Sequence, residues 1–132
     1  MRLTEPEMTA AIQGAAKTVL ATQDKEVRKG RRDPEDAWQA MTKYQRYVAI
    51  DGVGSQVLPV LIALPDVEVA VGERASFTDA EIMSAVQETA GEEVRGLRGK
   101  VVLASRVALV KLALSHLPPK ADPDAFVVPD HL

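Results

Sequence analysis

Along the first part of the chain, Met8, Ile12, Ala15, Val19 and Leu20 recur at helical spacing and form a narrow, alanine-rich apolar stripe. A start signal precedes it. Thr4 and Glu7 have capping-box spacing, and Pro6 is tolerated in a first turn whose N–H groups lack intrahelical partners. The pattern predicts a helix from about Glu5 to Arg28, ended by Gly30, with a face small enough for another helix to approach closely. A second helix is expected from Pro34, capped by Asp33, with Glu35 and Asp36 complementing the positive end of its dipole and Gly52 as its stop. Trp38, Met41, Tyr44 or Gln45, and Val48 would form its core face.

Residues 56–74 are ambiguous. Ser55 could cap a short helix running to Leu64, at the cost of the backbone hydrogen bond that Pro59 removes. Pro65-Asp66, between two apolar runs, could equally turn a β-hairpin. Short helices are favoured here because both flanks are strongly helical. The next start is the best in the chain: Thr78 and Glu81 have capping-box spacing, Phe77 and Ile82 hold the two positions of a hydrophobic staple, and Gly91 supplies a C-terminal glycine. Glu92 to Gly99 reads as a charged turn, followed by a long helix from about Lys100 to Leu117 that Pro118-Pro119 stops.

Four prolines, at 118, 119, 123 and 129, then forbid regular helix and favour an extended tail. Phe126, Val127 and Val128 within it are apolar residues that a solvated tail does not need, so the tail is expected to lie across a groove between helices. The expected organisation is one helical domain over 1–119 and an extended tail over 120–132. The expected fold is all-α, a compact bundle of four main helices with a short irregular middle segment and a Pro-rich C-terminal tail.

Composition narrows the chemistry. The 132 residues fit one domain, and the absence of cysteine removes disulfides, thiolate metal sites and cysteine nucleophiles together. A formal net charge of −3 gives no global basic field. Charge is nevertheless blocked: five cations against one acid over 25–32, one cation against eight acids over 52–93, and five cations with no acid over 94–111. Such blocks can attract one another within the fold or between chains. The N-terminus turns acidic at once, and the apolar run over 101–117 is broken by Arg106 and Lys111, so neither a signal peptide nor a membrane span is expected. The expected location is cytoplasmic.

Lys25, Arg28, Lys29, Arg31 and Arg32 have the composition of a phosphate-binding patch, and Lys43 and Arg46 interleave with Tyr44 and Tyr47 as cations and stacking platforms for nucleic acid. A helix-turn-helix over 78–97 fits poorly, because the helix that follows is Val, Leu and Ala and must be buried. Asp51-Gly52-Val53-Gly54-Ser55 lacks the third glycine and the lysine of phosphate loops. His116 and His131 have no ligand cluster at metal spacing. Arg106 stands apart as a buried-charge candidate: it falls inside the apolar arc of the last helix, where it must either be paired or snorkel to the edge.

No catalytic constellation, cofactor motif or metal site emerges, and the chain leans away from being an enzyme. The expected function is a non-enzymatic interaction or assembly module, associating with itself or another protein. Its last helix, apolar over much of its circumference, requires cover from its own bundle or from a second chain. Nucleic-acid association through residues 25–32 is the alternative.

Overall fold

The computed structural model describes residues 3–91 and 95–120. Among these the chain is all-helical, with no strand. Six helices follow in order: α1 (Glu5–Gln23), α2 (Lys25–Arg28), α3 (Pro34–Gln39), α4 (Lys43–Ala63), α5 (Asp79–Ala90) and α6 (Gly96–Leu114). Helix α1 touches α2, α3, α4 and α6; α4 also meets α5 and α6, and α5 meets α6.

Local sequence explains most of these boundaries. Thr4 and Glu7 form the capping box of α1: the Thr4 N–H donates to Glu7 Oε1 at 2.9 Å, and the Glu7 N–H donates to Thr4 Oγ1 at 3.3 Å. Helix α1 ends five residues earlier than its periodicity predicts. The Asp24 carboxylate accepts from the N–H groups of Glu26 and Val27 and starts a separate turn, α2. Asp33 caps α3 and Thr78 caps α5, each with its expected side-chain bond. Gly91 ends α5 at φ 58°, a left-handed angle that glycine adopts without penalty.

The predicted second helix is two helices. A break at Ala40–Thr42 ends α3, and Thr42 with Gln45 forms a second capping box that opens α4. The break changes the register. Trp38 is buried and Met41 half-buried, whereas Tyr44 and Val48, expected on the same core face, are exposed. Nor does Gly52 stop the helix. An interior glycine costs roughly 1 kcal/mol, less than burying Val53, Val57, Val60 and Leu61 on the face beyond it contributes, at about 1.5–3 kcal/mol each. Pro59 lies inside α4 with its ring exposed, on the side where water can satisfy the carbonyl that it leaves unpaired.

The ambiguous stretch 56–74 divides: residues 56–63 are helical, as the continuation of α4 rather than a separate short helix, and from Leu64 onward there is neither a short helix nor a hairpin. The chain runs irregularly from Leu64, which is buried, to the cap at Thr78. Its turn is tied to the segment after α6: the Gly72 N–H donates to the Lys120 carbonyl at 3.0 Å, and the Lys120 N–H donates to the Glu73 carbonyl at 2.7 Å. Helix α6 starts at Gly96 rather than Lys100, and its last residues tighten into i→i+3 bonds from His116 to Ala113 and from Leu117 to Leu114. The tail over 121–132, with Phe126, Val127 and Val128, lies outside the described residues, as do Glu92 and Glu93.

The core is built mainly from small and branched side chains. Ala11, Ala15 and Ala16 of α1, Val57 and Val60 of α4, Val86 of α5, and Val110 and Ala113 of α6 are almost completely shielded. The alanine stripe does what its size predicts and lets α4 and α6 pack closely on α1. Lys111 of α6 reaches Asp79 at the start of α5, 3.0 Å away, and clips those two helices at the surface. The tightest seat is at Gly14, where His116 lies over the helix and its Nε2 meets Thr18 Oγ1 at 3.2 Å. A Cβ on Gly14 would come within 2.6 Å of His116 Cβ. Gly14→Ala should therefore lower stability by about 1–2 kcal/mol, the overpacking cost less the gain in helix propensity. Most of that loss should persist in the His116→Ala background, because the clash reaches Cβ; thermal melts of the two variants check this.

Candidate functional site

Two surface features stand out, and both grow from the breaks in the first half of the chain. The first is the basic segment. By ending α1, Asp24 turns the chain away so that Lys25, Arg28, Lys29 and Arg31 are carried exposed on α2 and the loop behind it. Gly30, at φ 73°, makes the turn. The segment is partly neutralised by its own acids: Arg32 lies 3.6 Å from Asp24, and Arg31 lies 3.9 Å from Glu26. Both pairs are exposed enough to contribute little to stability. A cleft between the end of α1, α3 and the start of α4 adjoins this segment, lined by Lys17, Leu20, Arg32, Trp38, Met41 and Gln45. Lys43 is exposed at the head of α4, while Arg46 is half-buried and donates from Nη1 to Gln39 Oε1 at 3.5 Å. Of the sequence-predicted cations only Arg32 lines this cleft; Lys25, Arg28, Lys29 and Arg31 are exposed on the neighbouring turn and Lys43 at the head of α4.

The second feature is the outer face of α4. Val53, Val57, Val60 and Leu61 point into the core. On the opposite side Tyr44 is 74% exposed, Tyr47 64%, Val48 50%, Leu58 38% and Ile62 56%. Asp51 and Ser55, also exposed, lie between them. The helix is therefore apolar on both sides, with one apolar face in the core and the other in solvent. Leu97 and Val101 add a smaller exposed apolar patch at the start of α6.

Arg106 is half-buried: its Nε is closed off from solvent, yet no charged residue is fully buried among the described residues. The rest of α6 is graded. Val110 and Ala113 are buried, Val102, Leu103, Val107 and Leu109 half-buried, and Val101, Ala104 and Ala108 exposed, so the chain's own helices cover one side of it. No group of three or more histidine or acidic side chains that could hold a metal ion occurs among the described residues. No described helix is long and apolar enough to cross a membrane. A search against protein-family models, curated proteins and solved structures finds no match to this chain.

The cleft is held by a small charge cluster. Lys17 of α1 lies 3.1 Å from Glu35 of α3 and 5.8 Å from the centre of the Trp38 ring, while the Gln39 amide donates to the Glu35 carboxylate at 3.0 Å. The Gln39 hydrogen bond first, and then Lys17, hold the Glu35 carboxyl below its ordinary value. A depressed folded-state value means that the stabilisation is present above the unfolded-state value and fades as pH falls through the folded one. Carbon-detected titration of the Glu35 carboxyl should therefore give a midpoint below that of an ordinary glutamate. Gln39→Ala and Lys17→Met should each move it upward.

Proposed function

We propose that this chain is a non-enzymatic helical assembly module that works as a homo-oligomer. What supports the reading is the outer face of α4, where five large apolar or aromatic side chains stand in solvent on the side of a helix whose other face is already in the core. The apolar residues exposed on α6 offer further contact surface. Self-association driven by such a face is insensitive to salt, since its driving force is apolar burial rather than ion pairing. Light scattering or sedimentation at about 100 µM should give a mass of at least two chains, well inside the range where an interface of ordinary size associates. The same mass should be found in low and high salt. A single-chain mass at that concentration overturns the reading.

The exposed cations favour a second reading, nucleic-acid association. Lys25, Arg28, Lys29 and Arg31 are exposed on one short stretch of chain, and Arg32 beside them lines a cleft with Gln45, one residue from the exposed Tyr44 ring. Here binding would fall steeply with salt, because each phosphate contact releases counterions. Replacing Arg28, Lys29, Arg31 and Arg32 with serine should leave the melting temperature nearly unchanged and abolish retention on single-stranded DNA or RNA at low salt. Absence of retention by the wild-type protein under those conditions disposes of this alternative.

A further inference from the structure

The outer face of α4 carries a register as well as an apolar surface. Its central line runs Tyr44, Val48, Asp51, Ser55, Leu58, Ile62, with spacings that alternate between four and three residues. That is the a/d seam of a coiled coil, and every one of these residues is exposed. The order is the same from either end: two apolar or aromatic positions, two polar ones, two apolar ones.

In an antiparallel pair of helices the a positions of one chain share layers with the d positions of the other. We propose that α4 pairs with α4 of a second copy in this antiparallel register, about a two-fold axis level with Val53. Tyr44 then shares a layer with Ile62 of the partner, Val48 with its Leu58, and Asp51 with its Ser55, each layer occurring twice. This proposal rests on the assembly reading above and specifies its partner and geometry.

Three observations select a second copy and this register. The first is the self-matching order itself, since an isologous interface must present the same surface twice in opposite directions. The second is the polar layer. In a parallel pair Asp51 would stack on Asp51 of the partner, and like charges in one layer repel. In antiparallel registers shifted by a heptad its carboxylate would meet Val48 or Ile62 and lose its hydrogen-bonding surroundings. Only the proposed register puts a hydroxyl against each carboxylate. The Ser55 Oγ, which in the single chain donates to the Gly52 carbonyl at 3.1 Å, can turn to donate to Asp51 of the partner. The third is space. Gly52 and Gly54 flank this layer without side chains, and a groove between α1 and α4, lined by Thr9, Ile12, Gly54 and Ser55 among others, lies open beside it. From the fractional exposures, the four apolar or aromatic side chains of the seam, with Tyr47 beside them, would bury roughly 500 Å² per chain and 1,000 Å² per pair, at the threshold of specific association.

A charge exchange tests the register. Val48→Lys alone and Leu58→Glu alone should each convert the dimer to a monomer at about 100 µM, because each leaves two charges in apolar layers. The double variant Val48→Lys/Leu58→Glu should restore the dimer, since each new cation then shares a layer with a new carboxylate of the partner. Within one helix those positions lie about 15 Å apart, too far to pair. In a parallel pair the double variant would set like charges together twice and stay monomeric. Circular dichroism of each variant should match the wild type, all the altered side chains being exposed. The chain has no cysteine, so a mixture of Tyr44→Cys and Ile62→Cys proteins gives an independent answer. Oxidation should yield the mixed disulfide in large excess over either like pair. A Tyr44→Cys homodisulfide as the main product overturns the antiparallel register. A dimer unchanged by both single charges removes α4 from the interface while leaving the assembly reading intact, and a monomeric wild-type protein removes both.

Discussion

The packing depends on the small size of one face of α1. A helix that touches four others must let their backbones come close, and large side chains on its buried stripe would hold them apart. With Ala11, Ala15 and Ala16 at the contact, α4 and α6 can both lie near α1 and fill the space with their own branched side chains. Alanine contributes little buried area itself, so the stabilisation comes from what it admits: Val57, Val60, Val110 and Leu117 become fully buried because α1 does not compete for the room. Gly14 takes the same principle one step further, leaving no side chain beneath His116.

Helix starts are the most legible part of this chain. Threonine or aspartate followed by an acid or amide closes a short, local set of hydrogen bonds that tertiary packing rarely overrides, and Thr4, Asp33 and Thr78 all cap as their spacing predicts. Thr42 and Gln45 carry the same signature in mid-chain. Reading one helix from Pro34 to Gly52 passes over that signal and misplaces Tyr44 and Val48 in the core. Stops are harder. Gly52 and Pro59 are local arguments of about 1–3 kcal/mol against a helix, and the long-range burial of Val57, Val60 and Leu61 exceeds them. That burial is invisible until the partners α1, α5 and α6 are in place.

The surface features divide along the same line. The basic segment is local and is visible as a run of letters, although its partial neutralisation by Asp24 and Glu26 depends on the turn between α1 and α2. The outer seam of α4 is not readable until the helix is known to continue through both of its apparent breakers. A periodic apolar pattern in sequence cannot distinguish a face turned to the core from one turned to a neighbour. Helix α4 has one apolar face in the core and another in solvent, separated by half a turn. Arg106 shows the limit of a helical wheel: falling inside an apolar arc places its stem among the half-buried side chains of α6, and the arc says nothing of where the long side chain ends.

The seat of His116 on Gly14 has a consequence for how the chain reaches this state. Thr18 and His116 lie 98 positions apart, so their contact closes a loop spanning most of the chain. Neighbouring helices such as α5 and α6 can meet early, because little chain entropy is lost in bringing them together. Docking of α6 onto α1 closes a far longer loop, at a higher entropic cost. If the contact forms after the transition state, its strength governs how fast the folded chain comes apart and hardly affects how fast it assembles. The glycine at position 14 would then act as a latch on the lifetime of the native state.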